Sequence, residues 1–156
     1  AIKKFKGLPH RLENVGTFKG ISFYDDAIST TPESTIAAIS SLPAIGAILL
    51  GGLDRGYDFS KLVRIILAKH IPHIILFPDS GKRIGDLLEQ EKHTSRILYT
   101  SSMYEAVDYA YNNCPKNTVC LLSCASPSYS LWKNFEEKGD QFQRAVRLYG
   151  LSQERI

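Results

Sequence analysis

Three stretches of this chain concentrate the side chains that can do chemistry. Asp25-Asp26-Ala27-Ile28-Ser29-Thr30-Thr31 sets two carboxylates ahead of three hydroxyls. Gly51-Gly52-Leu53-Asp54-Arg55-Gly56-Tyr57-Asp58 sets one arginine among glycines, which let a backbone turn sharply and come close to a ligand. Ser123-Cys124-Ala125-Ser126-Pro127-Ser128-Tyr129-Ser130 is a run of small residues and hydroxyls. A guanidinium fork, neutral O–H donors and the free N–H groups of a helix start are the parts from which a carboxylate or phosphate site is made. The chemistry within reach is therefore anion binding. The Thr31-Pro32-Glu33 signature also opens helices that bind nothing, so the first stretch alone decides little.

Missing motifs narrow the field. The chain has no G-x-x-x-x-G-K-[ST] loop and no G-x-G-x-x-G after a strand, so it carries no self-sufficient nucleotide-phosphate cradle. It has no G-x-S-x-G elbow, and His10, His70, His73 and His93 all fall outside the three stretches. Ser128 as a nucleophile thus lacks a base, and the histidines are read as structural.

The elements that must position these loops follow from periodicity. A strand is expected at Gly20–Tyr24, then a helix with Thr31 as N-cap, Pro32 at its first position and Glu33 near the positive end of its dipole. Ala44–Leu50 is apolar without alternation, as in strands buried on both faces. Further helices are expected over 61–70, about 82–91 and 102–112, and further strands at His73–Phe77, Arg96–Thr100 and Val119–Leu122. The tail from Ser130 reads as helical in two pieces broken near Gly139. Such alternation means βαβ units. The expected fold is α/β, a Rossmann-like three-layer sandwich with a mostly parallel sheet of about five to six strands and flanking helices. Ligands of such a sheet bind at the carboxyl ends of its strands, which is where all three loops would gather.

At 156 residues, with 44% hydrophobic and 22% charged content, the chain reads as one globular domain over 1–156. No run of about 18 apolar residues marks a membrane span, and the opening AIKKFKGLPH lacks a secretory core, which makes the cytoplasm the expected compartment. A net charge of +3 is too slight to argue for nucleic acid. Lys3, Lys4, Lys6, Arg11 and Lys19 face only Glu13 and no interleaved aromatics, and read as a solvated basic arm. Cys114, Cys120 and Cys124 are odd in number and read as small buried hydrophobes. The start at Ala1, without methionine, reads as the interior of a longer polypeptide.

Taken together, FKGLPHRLE, DDAISTTPEST, LLGGLDRGYDFS and LLSCASPSYSLWKNFEEKGDQF resemble, in order and spacing, the third domain of the Mur ligases, most of all the D-glutamate-adding branch. The resemblance covers essentially the whole chain. It implies a cytoplasmic, monomeric ligase in which ATP phosphorylates the carboxylate of UDP-N-acetylmuramoyl-L-alanine and the amine of D-glutamate attacks the acyl phosphate, forming an amide for peptidoglycan synthesis. ATP and Mg2+ would be held mainly by a central domain, and the UDP group by a first domain, neither within this chain. No catalytic residue and no metal ligand is then expected here. Carried over by position, Thr30, Arg55, Ser128 and the backbone at Phe135 would hold D-glutamate, and Arg11 and Asp26 would contact the nucleotide. Two departures stand out: Ile28 occupies a position where many members have lysine, and Ser123-Cys124-Ala125-Ser126-Pro127-Ser128 replaces a usual S-P-A-C-A-S order. These leave open a ligase for another acidic amino acid, or a non-catalytic anion- or protein-binding module of the same ancestry.

Overall fold

A computed structural model describes residues 7–129 and 131–153, without the side chains of 152 and 153; Lys3, Lys4, Phe5, Lys6 and Ser130 lie outside the described residues. The elements run β1 (Glu13–Phe18), β2 (Ile21–Asp25), α1 (Pro32–Ser41), β3 (Ile45–Gly51), α2 (Ser60–Ala68), β4 (His73–Phe77), α3 (Ser80–Glu89), β5 (Arg96–Tyr99), α4 (Met103–Asn113), β6 (Thr118–Leu122) and α5 (Phe135–Gln153). The six strands form one sheet in the order β1-β2-β6-β3-β4-β5. All pairings are parallel except β1 with β2, which is antiparallel.

Every residue of β3 is buried, because helices cover both faces of the sheet. Successive side chains of a strand point to opposite faces. Ala47 and Leu49 accordingly join Phe23, Phe77 and Leu122 against Ala106 and Val107 of α4 and Phe142 and Val146 of α5. Ile48 and Leu50 join Ile74, Leu76 and Leu121 against Ile39 of α1, Leu62 and Ile66 of α2 and Ile84 of α3. This is the expected three-layer α/β sandwich, and the three cysteines are free and buried within it. No helix among the described residues is long and apolar enough to cross a membrane.

Local sequence explains the start of α1. Thr31 caps α1: its Oγ1 accepts from Ser34 N at 3.2 Å, while Ser34 Oγ accepts from Thr31 N, a reciprocal box completed by Ser34 rather than by Glu33. Losing that side chain in Thr31→Ala should cost about 1 kcal/mol, read as a shift in the urea midpoint at constant m-value.

Two expectations are corrected. Glu13–Phe18 is no part of a solvated arm but the edge strand β1, pinned to β2 through the register Glu13 opposite Asp25 to Phe18 opposite Ile21. Its alternation is blurred by Gly16, where the pairing register shifts. The tail is one helix, α5, and runs through Gly139 without a break. Gly139 is buried where α5 meets β2, and a Cβ there would fall on His10 Nδ1 and within 2.7 Å of Asp25 Oδ2. The glycine permits close approach.

Candidate functional site

β6 inserts between β2 and β3, so the three chemistry-bearing loops leave three adjacent strands at their carboxyl ends. Backbone bonds tie them together. Gly51 N donates to Cys124 O at 2.9 Å, Leu53 N to Pro127 O at 2.8 Å, and Asp26 N to Leu122 O at 2.8 Å. Gly52, at φ 159°, leaves no room for a Cβ against Pro127 O, so the second and third loops meet only because this residue is glycine. From the next strand, Asp79 N and Ser80 N donate to Gly52 O at 2.7 and 2.9 Å, and Ser80 Oγ lies 2.6 Å from Ser126 Oγ.

Ser123 and Ser126 of the third loop serve this framework. Ser123 Oγ donates to Asp26 Oδ2 at 2.8 Å and lies 2.9 Å from Thr35 Oγ1. Ser128 differs: it is buried, and its Oγ has no hydrogen-bond partner among the described residues. Nζ of the fully buried Lys138 reaches no oxygen or nitrogen acceptor among the described residues; it sits 5.9 Å from the Trp132 ring centre and beside the Cys124 thiol. Burial pushes that thiol up, opposed by the charge and hydrogen bond of Lys138. A buried donor without acceptor is expensive, more so when charged, and such groups are the ones a ligand satisfies.

The residues expected to contact a nucleotide, Arg11 and Asp26, also come together. Arg11, Asp26, Ile28, Ser29 and Ser34 line one cleft of about 260 Å³, in which Arg11 is the only cation among the lining residues. Asp26 is buried and already accepts from Leu12 N, Ser29 Oγ and Ser123 Oγ. Burial pushes its carboxyl above the usual range, opposed by those bonds. Its main visible work is to join the entry to β1, the first loop and the third. Thr30 is half-buried on the first loop, and Arg55 is exposed at the tip of the second. Phe135 opens α5 and meets the His10 ring edge-on, centroids 6.1 Å apart.

The fold brings His10, read from the sequence as structural, against the start of the first loop. Its Nδ1 lies 2.5 Å from Asp25 Oδ2 and its Nε2 3.4 Å from Asp140 Oδ1. Gln143 Nε2 donates to both Asp25 Oδ2 and Glu13 Oε1, and His10 N donates to Glu13 Oε1. Although His10, Glu13 and Asp25 have the atom types and mutual proximity of metal ligands, they already satisfy one another. The cluster fixes the residue before Arg11. No sequence spacing could have revealed it, since Gln143 lies on the last helix.

The second loop has its own anchor. Arg83 of α3 donates from Nε to Asp54 Oδ2 and from an Nη to Asp54 Oδ1, both at 2.8 Å, and from the same Nη to Tyr57 O at 2.8 Å. Gly56 N donates to Asp54 Oδ1 at 2.8 Å. The Arg83 hydrogen bonds, then that of Gly56, hold the Asp54 carboxyl at about 2, below its ordinary 3.8. Because the folded value is the depressed one, this contribution is complete above about pH 4. It is lost as pH falls through about 2. Carboxyl NMR titration should place the Asp54 midpoint near 2; a midpoint at the ordinary value would mean that the pair does not persist in solution.

Comparison with known proteins agrees with this geometry. The family model described as "Mur ligase, glutamate ligase domain" matches residues 10–125. The chain is 34% identical over 146 residues to the UDP-N-acetylmuramoylalanine–D-glutamate ligase of Porphyromonas gingivalis, covering 94% of this chain and 32% of that protein. It is likewise 34% identical over 149 residues to the ligase of that name from Aquifex aeolicus, covering 95% and 35%. The chain therefore spans about a third of the length of the curated relatives it matches. Among solved structures, the UDP-N-acetylmuramate-alanine ligase MurC of Thermotoga maritima shares the fold with a TM-score of 0.62 at 18% identity, over 95% of this chain and 31% of that one. MurF ligase from the same organism, in complex with ADP, does so with a TM-score of 0.59 at 17% identity, over 93% and 33%. With the matched model spanning most of the sheet and its loops, the chain belongs to the Mur ligase family, as a glutamate ligase domain.

Proposed function

We propose that this chain is the C-terminal domain of an ATP-dependent ligase that adds D-glutamate to UDP-N-acetylmuramoyl-L-alanine. The observation that carries the reading is Ser128 Oγ, a buried donor without a hydrogen-bond partner among the described residues, on the loop that backbone bonds tie to the one carrying Arg55, with Thr30 on the remaining adjacent loop. A dicarboxylate amino acid is the acceptor such a set of donors suits: Arg55 and Thr30 for one carboxylate, Ser128 and the backbone at Phe135 for the other. The names of the relatives point the same way. In this reading the domain binds and orients the incoming amino acid and contributes no catalytic residue of its own.

A nucleotide would meet Arg11 as a phosphate-neutralising cation and the Ser29 and Ser34 hydroxyls in the adjoining cleft. That fit is partial, which agrees with ATP and Mg2+ being held mainly by preceding domains. ATP, when bound, supplies the phosphoryl group that activates the carboxylate of UDP-N-acetylmuramoyl-L-alanine. Asp26 is already saturated on one side by Ser29 and Ser123, so contact with ribose would have to come through its remaining lone pairs. Localisation in the cytoplasm and a monomeric state complete the proposal.

Ile28 lines the cleft where a lysine would add a second cation, and favours a second reading, an altered acceptor or a domain without catalytic use. The test is ATP-dependent phosphate release by the full-length protein with UDP-N-acetylmuramoyl-L-alanine, offered D-glutamate, L-glutamate and D-aspartate in turn. Release with D-glutamate alone supports the first reading. No release from folded protein with any acceptor overturns it.

A further inference from the structure

The second loop holds Arg55, the cation assigned above to the substrate carboxylate, yet Arg55 itself is exposed and makes no hydrogen bond or ion pair among the described residues. What fixes the loop around it is a different arginine. Arg83 bridges both oxygens of Asp54 and the carbonyl of Tyr57, and its guanidinium lies 4.8 Å from the Phe59 ring centre. Asp54 in turn accepts from Gly56 N, so the residues on both sides of Arg55 are tied to one planar group. The base of the loop is held separately, through Gly52 and Leu53.

We propose that Arg83 is a positioning residue for amino-acid recognition, aiming Arg55 by clamping Asp54, Gly56 and Tyr57 in one turn. The inference rests on the assignment of Arg55 to the substrate carboxylate. The pair is not built for global stability: its side chains are 41% and 27% exposed, and exposed ion pairs contribute little to folding. Its consequence is geometric. A bidentate guanidinium–carboxylate contact sets angle as well as distance, and a carboxylate-binding arginine displaced by about 1 Å loses much of its effect. Lysine at position 83 could reach only one oxygen at a time, so charge alone would not replace it.

The test uses the full-length ligase and steady-state kinetics with each substrate varied, for Arg83→Gln, Arg83→Lys, Asp54→Asn, Arg55→Ala and the double variant Arg55→Ala/Arg83→Gln. Arg83→Gln is expected to raise the KM for D-glutamate about tenfold while kcat and the KM for ATP stay within about twofold. Asp54→Asn, approaching the clamp from the other side, should do the same, and Arg83→Lys should recover only part. In the Arg55→Ala background, adding Arg83→Gln should change the D-glutamate KM by less than about twofold, because a residue that acts only through another has nothing left to act on. Additive losses in the double variant, or losses shared equally by all substrates, would overturn the role of Arg83 alone. An unchanged KM in Arg55→Ala would instead overturn the substrate assignment beneath it.

Discussion

Gly139→Ala should destabilise the fold by about 1–2 kcal/mol, although alanine is the better helix former. In a helix interior glycine costs about 1 kcal/mol relative to alanine, so propensity alone predicts a gain. Packing reverses the sign. The added Cβ would overlap His10 Nδ1 and stand 2.7 Å from Asp25 Oδ2, and both groups are buried and joined by a 2.5 Å hydrogen bond. Either α5 retreats from the sheet, at an overpacking cost of about 1–3 kcal/mol, or the His10–Asp25 contact opens and leaves a buried carboxylate short of a donor, at a similar cost. Urea unfolding reads the effect. Gly7→Ala, where nothing among the described residues lies within 4 Å of the new methyl, is the control, and His10→Ala/Gly139→Ala should fall short of the sum of its single variants. A Gly139→Ala protein as stable as its parent would show that α5 does not approach β2 this closely.

Arg55→Ala in the full-length ligase should raise the D-glutamate KM about a hundredfold with little change in kcat. A hydrogen bond to a charged group contributes about 1.5–3 kcal/mol, and each 1.4 kcal/mol is tenfold in binding. Arg55→Lys should fall between, since an ammonium keeps the charge but loses the fork. Raising the salt concentration should weaken acceptor binding to the parent more than to the alanine variant, because Arg55 stands exposed and screened. An alanine variant with unchanged acceptor requirement would remove Arg55 from the site.

Both predictions turn on features of different legibility. Arg55 could be singled out from its glycine-flanked run, and Thr31 and Pro32 announced the start of α1 by their own chemistry. Gly139 could not be read correctly from its neighbours. A glycine in a helical pattern reads as a stop, and its real reason is a histidine 129 positions earlier, found only when α5 lies against β2. The strand Glu13–Phe18 was hidden in the same way. Its polar, edge-strand composition and the shift at Gly16 erase the period-two signal, and only pairing with β2 makes it a strand.

The order of elements from β2 to β6, the buried strands, the cap of α1 and the three anion-suited loops were determined by sequence, because each depends on residues close along the chain whose periodicity, capping or turn chemistry is local. Which residues meet across the molecule was decided by the tertiary structure. The placement of β6 between β2 and β3 brings the loops onto adjacent strands, Ser128 is left buried without a hydrogen-bond partner among the described residues, and the reach of Arg83 to Asp54 joins α3 to the second loop. These pairings depend on how whole helices and strands pack, and hydrogen-bond partners dozens of residues apart leave no spacing in the sequence that would disclose them.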